Sequence, residues 1–496
     1  VSSFFRRLFL AATAATLLTA AGASAAAPEP VVEGNRIVDS LTSKKFVPHG
    51  VNFPGFEYAC QRGFGDYGED GTRPGEIGST VAAMAAWKIN TVRLPLNQDC
   101  WLGEDGMPAG GLTMSGYRQS VESFVEALNS VGIVAIVDLH WSGPDGVVAD
   151  GLRPMPDDRS PTFWNSVANR FKDNPSIIFD LFNEPHSRWN PDDNKVFGLS
   201  WECWASGGCL APSEADTAPQ SGLAPRYQAA GMKNLTAVVR NTGATQPILL
   251  SGIDYANDLR GWLAYAPNDD QLIAGFHNYL VQRCRTVRCW DDEIAPLARQ
   301  VPVLAAEFGQ NDCGTPGHMN RFMDWADSQS IGYLAWAWWD LDDLGCSNFA
   351  LVSDLDGTPL PPAGTALQSH LAGLPDELPD PPKLVSPGLA IKTAVFNGKN
   401  LRLEVVASPK ATRAIKVSIR LIRNPRSNRP PRTRKRLIQR QLRLISGVAM
   451  LRTVIPAGLK PSLVTVSYPG DILLKPKTVN RKPSSVSRLT RYRSRG

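Results

Sequence analysis

Ser176-Ile177-Ile178-Phe179-Asp180-Leu181-Phe182-Asn183-Glu184-Pro185 is a short apolar run that ends on an amide, a carboxylate and a proline. The run is too short for a helix of ordinary length and reads as a buried strand, with Asn174-Pro175 closing whatever precedes it. A carboxyl group at the tip of a buried strand is costly unless it has work to do. Val301-Pro302-Val303-Leu304-Ala305-Ala306-Glu307-Phe308-Gly309 repeats the arrangement 123 residues on (307 − 184). Two such tips predict a pair of carboxyl groups that converge in space, the equipment of glycoside hydrolysis.

Working outward, six further strand-like runs appear: Phe46–Asn52, Thr91–Pro95, Val131–His140, Pro247–Ser251, Leu272–His277 and Gly332–Trp338. Helical periodicity fills the gaps, most clearly at Ile77–Lys88, Ser115–Ser130, Pro161–Phe171, Gly222–Arg240 and Gly317–Ser328. Eight strands alternating with helices predict an α/β fold, a (β/α)8 TIM barrel. A doubly wound open sheet is the competitor, but no GxGxxG follows a first strand. In a barrel, the C-terminal strand ends face the active site. At those ends stand His49, Asn52, Arg93, His140, Trp141, Asn183, Glu184, His277, Tyr279, Glu307, Trp336 and Trp338.

The chain has 496 residues, enough for one large domain and a smaller one. Its net charge of +5 hides a division. Residues 383–496 hold 27 Lys/Arg and 2 Asp/Glu, a balance of +25, while the remainder has 25 and 45, a balance of −20. Tryptophan is absent after residue 345. The expected organisation is a signal peptide over 1–27, a catalytic barrel over 28–373, a Pro-rich linker over 374–387, a basic β-rich accessory domain over 388–480 and a disordered basic tail over 481–496. Arg6 and Arg7, the apolar stretch Leu8–Ala21 and Ala23-Ser24-Ala25 or Ala25-Ala26-Ala27 compose the signal. The accessory domain reads as a small β-sandwich-like unit with strands at Leu389–Phe396, Leu401–Ala407, Ile415–Ile422, Val448–Ile455 and Leu463–Tyr468. Arg423–Arg443 is expected as a mobile loop.

Eight cysteines in an exported chain predict disulfides. Spacing favours Cys203–Cys209 and Cys284–Cys289 within loops, leaving Cys60–Cys100 and Cys313–Cys346 to tie neighbouring loops. No CxxC occurs and no metal is expected. Asp340, Asp342 and Asp343 read as a solvated acidic turn rather than a calcium site. Trp189, Trp201, Trp204 and Trp290 divide between sugar platforms and loop packing.

Asn183-Glu184-Pro185 and Glu307-Phe308-Gly309 resemble motifs of glycoside hydrolase family 5, the cellulase family. Thr91-Val92-Arg93-Leu94-Pro95, Asp138-Leu139-His140-Trp141, His277-Asn278-Tyr279 and Ala335-Trp336-Ala337-Trp338-Trp339 extend the likeness in the family's order, over residues 46 to about 372. The resemblance implies a retaining mechanism with no cofactor, Glu184 as acid/base and Glu307 as nucleophile. The charge of Glu307 would raise the pKa of Glu184. It further implies that Arg93 holds Glu307 ionised, Tyr279 orients it, and Asn183 bonds the sugar 2-hydroxyl. His140 and His277 would supply hydrogen bonds, and Trp338 would form the sugar floor. The expected activity is hydrolysis of β-1,4-glucan by a secreted, monomeric endoglucanase. Mannanase, β-1,3-glucanase, exo-glucosidase and glycolipid hydrolase specificities share the motifs. A non-catalytic carbohydrate-binding protein is the rival from another class, and both glutamates and Arg93 argue against it. The +25 region predicts attraction to an anionic cell-wall polymer.

Overall fold

The computed structural model describes residues 26–62, 77–110, 112–189, 195–216, 225–339, 347, 349–375, 377–378, 380, 388–407, 414–424, 437–444, 447–468 and 477–485. Eight parallel strands close into a barrel: β1 (His49–Asn52), β2 (Thr91–Asn97), β3 (Val134–Trp141), β4 (Ile177–Asp180), β5 (Ile248–Ser251), β6 (Leu272–Tyr279), β7 (Val303–Gly309) and β8 (Gly332–Ala335). Each pairs with its neighbour in sequence, and β8 returns to β1. All eight are buried or nearly so along their length, because one face meets the barrel interior and the other the surrounding helices. Gly50 lets β1 approach β2 closely. A Cβ there would lie 1.8 Å from the Thr91 carbonyl oxygen.

Two apolar layers hold the barrel. Ile136, Ile178, Leu249, Ile273, Leu304 and Leu334 fill the interior as branched side chains from successive strands. A three-stranded sheet (Pro30–Glu33, Arg36–Asp39, Lys45–Phe46) adds Val32, Ile37 and Phe46 to that interior cluster. Gln271, at the start of β6, fixes it by accepting from the Val32 amide at 2.8 Å and donating to the Val32 carbonyl at 3.2 Å. The second layer lies between strands and helices. There α1 (Ile77–Ala86), α2 (Met114–Ser130), α3 (Ser160–Phe171), α4 (Met232–Asn241), α5 (Gly317–Gln329) and α6 (Ala363–Gly373) bury one stripe each.

The expected helix over Gly222–Arg240 is shorter and begins at Met232. Arg226–Ala230 is instead a strand paired antiparallel with Gly207–Pro212. Tyr227 and Ala229 are buried while Arg226 and Gln228 are exposed, a period of two that helical propensity masked. Gly231 closes this hairpin, since a Cβ there would sit 2.3 Å from the Gly207 nitrogen.

The C-terminal module comprises β9 (Ala390–Phe396), β10 (Asn400–Val406), β11 (Ile415–Arg423), β12 (Leu437–Leu442), β13 (Val448–Val454), β14 (Leu459–Tyr468), β15 (Lys477–Arg481) and β16 (Ser484–Ser485). They form two four-stranded, mainly antiparallel sheets, ordered β13-β10-β9-β16 and β12-β11-β14-β15. Leu401, Leu403 and Val405 of one sheet share a core with Val417, Ile419, Val464 and Val466 of the other. Part of the expected loop Arg423–Arg443 is therefore strand β12, whose Ile438 faces Ile419 across the pair. β16 carries the pairing past residue 480, where the module was expected to end. Residues 1–25, 425–436 and 486–496, most of the linker, and Asp340, Asp342 and Asp343 lie outside the described residues.

Candidate active site

The barrel gathers the polar strand-end residues at one rim, except His49, which begins β1 and instead lies 3.3 Å from Asp327 and against Tyr333. Arg93 sits within β2, Asp138 and His140 share a face of β3, and Asp180 ends β4 with Asn183 and Glu184 just beyond. His277 and Tyr279 share a face of β6, and Glu307 lies near the end of β7. A register shift after Phe276 sets His277 beside Glu307.

Arg93 is the hub. Its Nη1 donates to Glu307 Oε1 at 2.8 Å and Asn52 Oδ1 at 2.9 Å, and its Nε donates to Asp180 Oδ2 at 2.9 Å. Nη2 donates to Asn183 Oδ1 at 2.7 Å and lies 3.0 Å from Asp138 Oδ2. The side chain is wholly buried, and three carboxylates around it raise its already high pKa. One guanidinium cannot neutralise three carboxylates. Burial pushes Asp180 well above the usual range and Asp138 to about 7, against the pull of Arg93.

Glu307 is fixed at both oxygens, Oε1 by Arg93 and Oε2 by the Tyr279 hydroxyl at 2.8 Å. Burial and the charges of Glu307 and Glu184 hold the Tyr279 phenol protonated, so it remains a donor. Glu184 occupies a different environment. Its Oε1 lies 2.8 Å from His277 Nδ1, which is also 3.4 Å from Glu307 Oε2. Burial pushes Glu184 up to about 8, and the next contribution comes from Asp216, with Arg93 opposing it. The sequence assigned that effect to Glu307; burial and Asp216 lead instead. His277 and His140 are both held neutral, their pKa values lowered to about 3 by burial.

His140 places Nδ1 2.7 Å from Asp138 Oδ2 and Nε2 3.5 Å from Asn183 Nδ2. Because Arg93 occupies Asn183 Oδ1, the amide nitrogen is the end of Asn183 left for a substrate. The imidazole of His140 stacks on Trp336, with centroids 5.4 Å apart and planes at 13°.

Glu184, Glu307, His140, Asn183 and Tyr279 line one open cavity of about 950 Å³ together with Trp141, Trp336, Asp216 and Tyr255. Trp338, expected as the floor, does not line it. Its indole is buried against Trp87, with ring centroids 4.8 Å apart. Strand β8 ends at Ala335, so strand alternation no longer governs where positions 336 and 338 point, and Trp336 takes the cavity face. Of the four loop tryptophans, Trp204 and Trp290 are buried, donating to the Ser251 and Cys284 carbonyls. Trp201 packs on Trp204, and Trp189 is 52 % exposed. None of the four is among the cavity residues described.

Cys60–Cys100, Cys203–Cys209 and Cys284–Cys289 are disulfide-bonded, as expected. Cys346 of the expected fourth pair lies outside the described residues. Asp138, Asp180, Asp216 and Tyr255 were not singled out as site residues from sequence. Asp138 and Asp180 carry a readable signal, acids inside apolar strand runs. Asp216 and Tyr255 lie in loops with no such signal. Tyr255 belongs to three consecutive non-glycine residues with left-handed backbone, Asp254, Tyr255 and Ala256, at φ 60°, 56° and 55°. Such strain persists where the surroundings enforce it. Here the Tyr255 amide donates to the Pro185 carbonyl at 3.1 Å, and the Ala256 carbonyl accepts from His277 at 3.0 Å.

The trio Glu184, His277 and Glu307 offers one ligand atom each within 4.8 Å of one another, and is the place in the site where a cation could sit. The atoms are already engaged, Glu307 by Arg93 and Tyr279 and Glu184 by His277, so an ion would have to compete with these bonds.

Residues 47–342 match the sequence profile of the cellulase family, glycosyl hydrolase family 5. The chain is similar to Endoglucanase 1 of Saitozyma flava, 31% identical over 179 residues, which is 35% of this chain and 48% of that one. It is also similar to the manganese dependent endoglucanase Eg5A of Phanerodontia chrysosporium, 28% identical over 142 residues, 28% of this chain and 34% of the relative. The chain thus spans about half or less of the length of these curated relatives. The β-glucanase SdGluc5_26A of Saccharophagus degradans, solved also in complex with cellotetraose, shares the fold at 19% identity and a TM-score of 0.50, covering 70% of this chain and 93% of that one. The family profile spans all eight barrel strands and includes both glutamates at its strand ends, and the chain belongs to glycosyl hydrolase family 5.

Proposed function

We propose that the protein is a secreted retaining β-glycosidase that cleaves β-1,4-glucan within the chain. The observation that carries this reading is the pairing of Glu184 and Glu307. Their nearest oxygens lie within 4.8 Å, and one carboxyl sits in a protonating environment while both oxygens of the other accept hydrogen bonds from Arg93 and Tyr279. A retaining pair stands about 5–5.5 Å apart, and an inverting pair must leave room for water at roughly 6.5–9.5 Å.

In the first step Glu307 attacks the anomeric carbon as the Glu184 proton passes to the leaving oxygen. The glycosidic bond breaks and a glycosyl ester forms on Glu307. In the second, Glu184 takes a proton from water, whose oxygen attacks the same carbon and releases Glu307 as carboxylate. Arg93 and Tyr279 hold the attacking carboxylate in place. Asn183 offers its amide N–H to the 2-hydroxyl, where a hydrogen bond strengthens in the transition state. His140 and His277, both neutral, complete the surroundings of the sugar and the two carboxyls. Trp336 supplies the aromatic surface at the cavity wall.

The choice of β-1,4-glucan follows the endoglucanase relatives, and the open cavity suits a polymer. Three disulfides suit an exported protein. The basic module would hold the enzyme on an anionic cell-wall polymer. The test is product release from β-1,4-glucan, mixed-linkage β-glucan, β-mannan and aryl β-glycosides, with Glu307→Gln as control. Release from β-1,4-glucan alone, abolished by the substitution, supports the reading. Release from another polymer reassigns the substrate, and release unaffected by the substitution overturns the site.

A further inference from the structure

Strand β6 outruns one of its neighbours. β5 stops at Ser251, opposite Gly275, while β6 continues to Tyr279 and carries His277 and Tyr279 on the overhang. On the other edge pairing with β7 persists, from His277 opposite Glu307 to Tyr279 opposite Gly309. The β5 edge of the overhang therefore meets no strand. It is buried as far as Asn278, and its backbone groups need partners there.

Two side-chain amides take the place of the missing strand. Asn257 Nδ2 donates to the His277 carbonyl at 2.7 Å, and the Tyr279 amide donates to Gln282 Oε1 at 2.9 Å. The His277 amide donates to the Ala256 carbonyl at 3.0 Å. The two side chains also bond each other, Asn257 Nδ2 donating to Gln282 Oε1 at 3.2 Å. Asn257 is wholly buried, and its Oδ1 accepts from the Cys284 amide at 2.6 Å. Gln282 Nε2 donates to the Tyr255 carbonyl at 3.0 Å. Each amide nitrogen meets only acceptors and each amide oxygen only donors, so both side chains have one orientation.

The turn that presents these groups is costly to build. Asp254, Tyr255 and Ala256 all hold left-handed backbone, a conformation in which a Cβ crowds the chain. The bridge between Ile253 and Asp258 closes the turn, the Asp258 amide donating to the Ile253 carbonyl at 2.9 Å. Its product is an Ala256 carbonyl and an Asn257 side chain set against β6. Strain retained in this way points to a task for the turn.

We propose that Asn257 is a positioning residue, acting with Gln282 as a surrogate strand that fixes the overhanging end of β6. The inference rests on the retaining reading and adds to it what holds two of its side chains in place. His277 Nδ1 lies 2.8 Å from Glu184 Oε1, and the Tyr279 hydroxyl lies 2.8 Å from Glu307 Oε2. One backbone segment thus serves both carboxyls, and a shift of that segment disturbs both at once. Reacting groups must be held to within about 0.5 Å, and pairing on the β7 edge alone leaves the overhang free to twist. The loop after β6 is anchored to the same side chain, since Cys284 binds Asn257 through its amide and Cys289 through its sulfur.

The test is amide hydrogen exchange of the full chain, read by mass spectrometry, with kinetics on whichever glycoside of the panel above the wild type cleaves. Exchange needs no turnover, so it stands apart from the assigned activity. In Asn257→Ala, residues 276–284 should exchange roughly ten-fold faster while β7 is unchanged. There kcat should fall ten-fold to about a hundred-fold, with KM altered by less than about two-fold. Asn257→Asp keeps the acceptor for Cys284 but sets an oxygen against the His277 carbonyl, so its kcat should fall as far. Gln282→Met removes the acceptor of the Tyr279 amide and should give a smaller change of the same kind. Should neither Asn257 variant fold, Gln282→Met carries the test. Wild-type exchange at 276–284 in a folded variant overturns the proposal. So does faster exchange with kcat unchanged, a loss confined to KM, or wild-type kcat in Asn257→Asp. A wild type that cleaves nothing in the panel overturns the substrate reading, and exchange alone then decides whether the surrogate strand holds β6.

Discussion

Arg93 Nη1 donates to Glu307 Oε1 at 2.8 Å, and the same guanidinium binds Asp180 and faces Asp138, so one cation holds the Glu307 carboxylate and two buried acids together. Arg93→Ala would leave those acids without a counter-charge in the core. Breaking a buried pair by removing one partner costs about 3–5 kcal/mol. We expect Arg93→Ala to be strongly destabilised in denaturant unfolding. Arg93→Lys keeps the charge but loses the fork that reaches Asn52, Asp180, Asn183 and Glu307 at once. It should fold and lose activity by about two orders of magnitude. Activity in Arg93→Lys close to wild type would show that the charge alone suffices.

Tyr279 reaches the other oxygen of Glu307 at 2.8 Å. A hydrogen bond to a charged group contributes about 1.5–3 kcal/mol. Tyr279→Phe removes it without opening a cavity. The expected result is a fall in kcat of ten-fold to about a hundred-fold, with unfolding little changed. A loss of stability without a loss of kcat would make the contact structural.

In the proposed mechanism the protonation of Glu184 sets the alkaline side of the pH profile. Its folded pKa is raised to about 8, above the 4.5 of a free glutamate, because burial and Asp216 disfavour the charged form. The protonated form is the acid, so kcat/KM should fall as pH rises through about 8. The same shift has a stability consequence of defined sign. A raised folded pKa contributes stability that is fully present below pH 4.5 and is lost as pH rises through 8. Glu184→Gln should remove both dependences, so its unfolding midpoint should change less between pH 5 and 9 than that of the wild type. A wild-type alkaline limb near pH 6 would contradict this assignment.

The barrel was legible in the sequence because each strand is an apolar run with a polar tip, and a period and a tip are local signals. Arg93, His140, Glu184, His277 and Glu307 all fell on such tips and all reach one cavity or its immediate support. Trp338 failed where the strand stopped, at Ala335, because alternation has meaning only inside a strand. Asp216 and Tyr255 could not be read locally. Their places are set by contacts with Leu152 and Pro185, distant in sequence and unrelated to any period. The strand Arg226–Ala230 was hidden for a similar reason, since its place is set by pairing with Gly207–Pro212, earlier in the same connection between β4 and α4. In the C-terminal module, β12 was obscured by the basic residues before it, although Ile438 and Leu442 alternate as a strand requires.

Cations on the C-terminal module yield a prediction about retention. Glu404 is the one acidic residue among its described positions and lies 3.6 Å from Lys392. Lys416 and Arg420 are exposed on β11, alternating with the buried Val417 and Ile419. Their cross-strand partners are uncharged: Gln441 on β12 and Ser467 on β14 opposite Lys416, and Leu437 and Leu463 opposite Arg420. The module holds no tryptophan on which a neutral sugar could stack. Attraction by charge is screened within about 10 Å at 0.1 M salt and more closely above that. The full chain should therefore be retained on a polygalacturonate matrix at low ionic strength and released by about 0.5 M salt. Lys416→Glu with Arg420→Glu should release it at lower salt while hydrolysis of a soluble aryl glycoside stays unchanged. Retention that ignores salt would mean recognition by hydrogen bonding or packing, and the basic balance would then need another explanation.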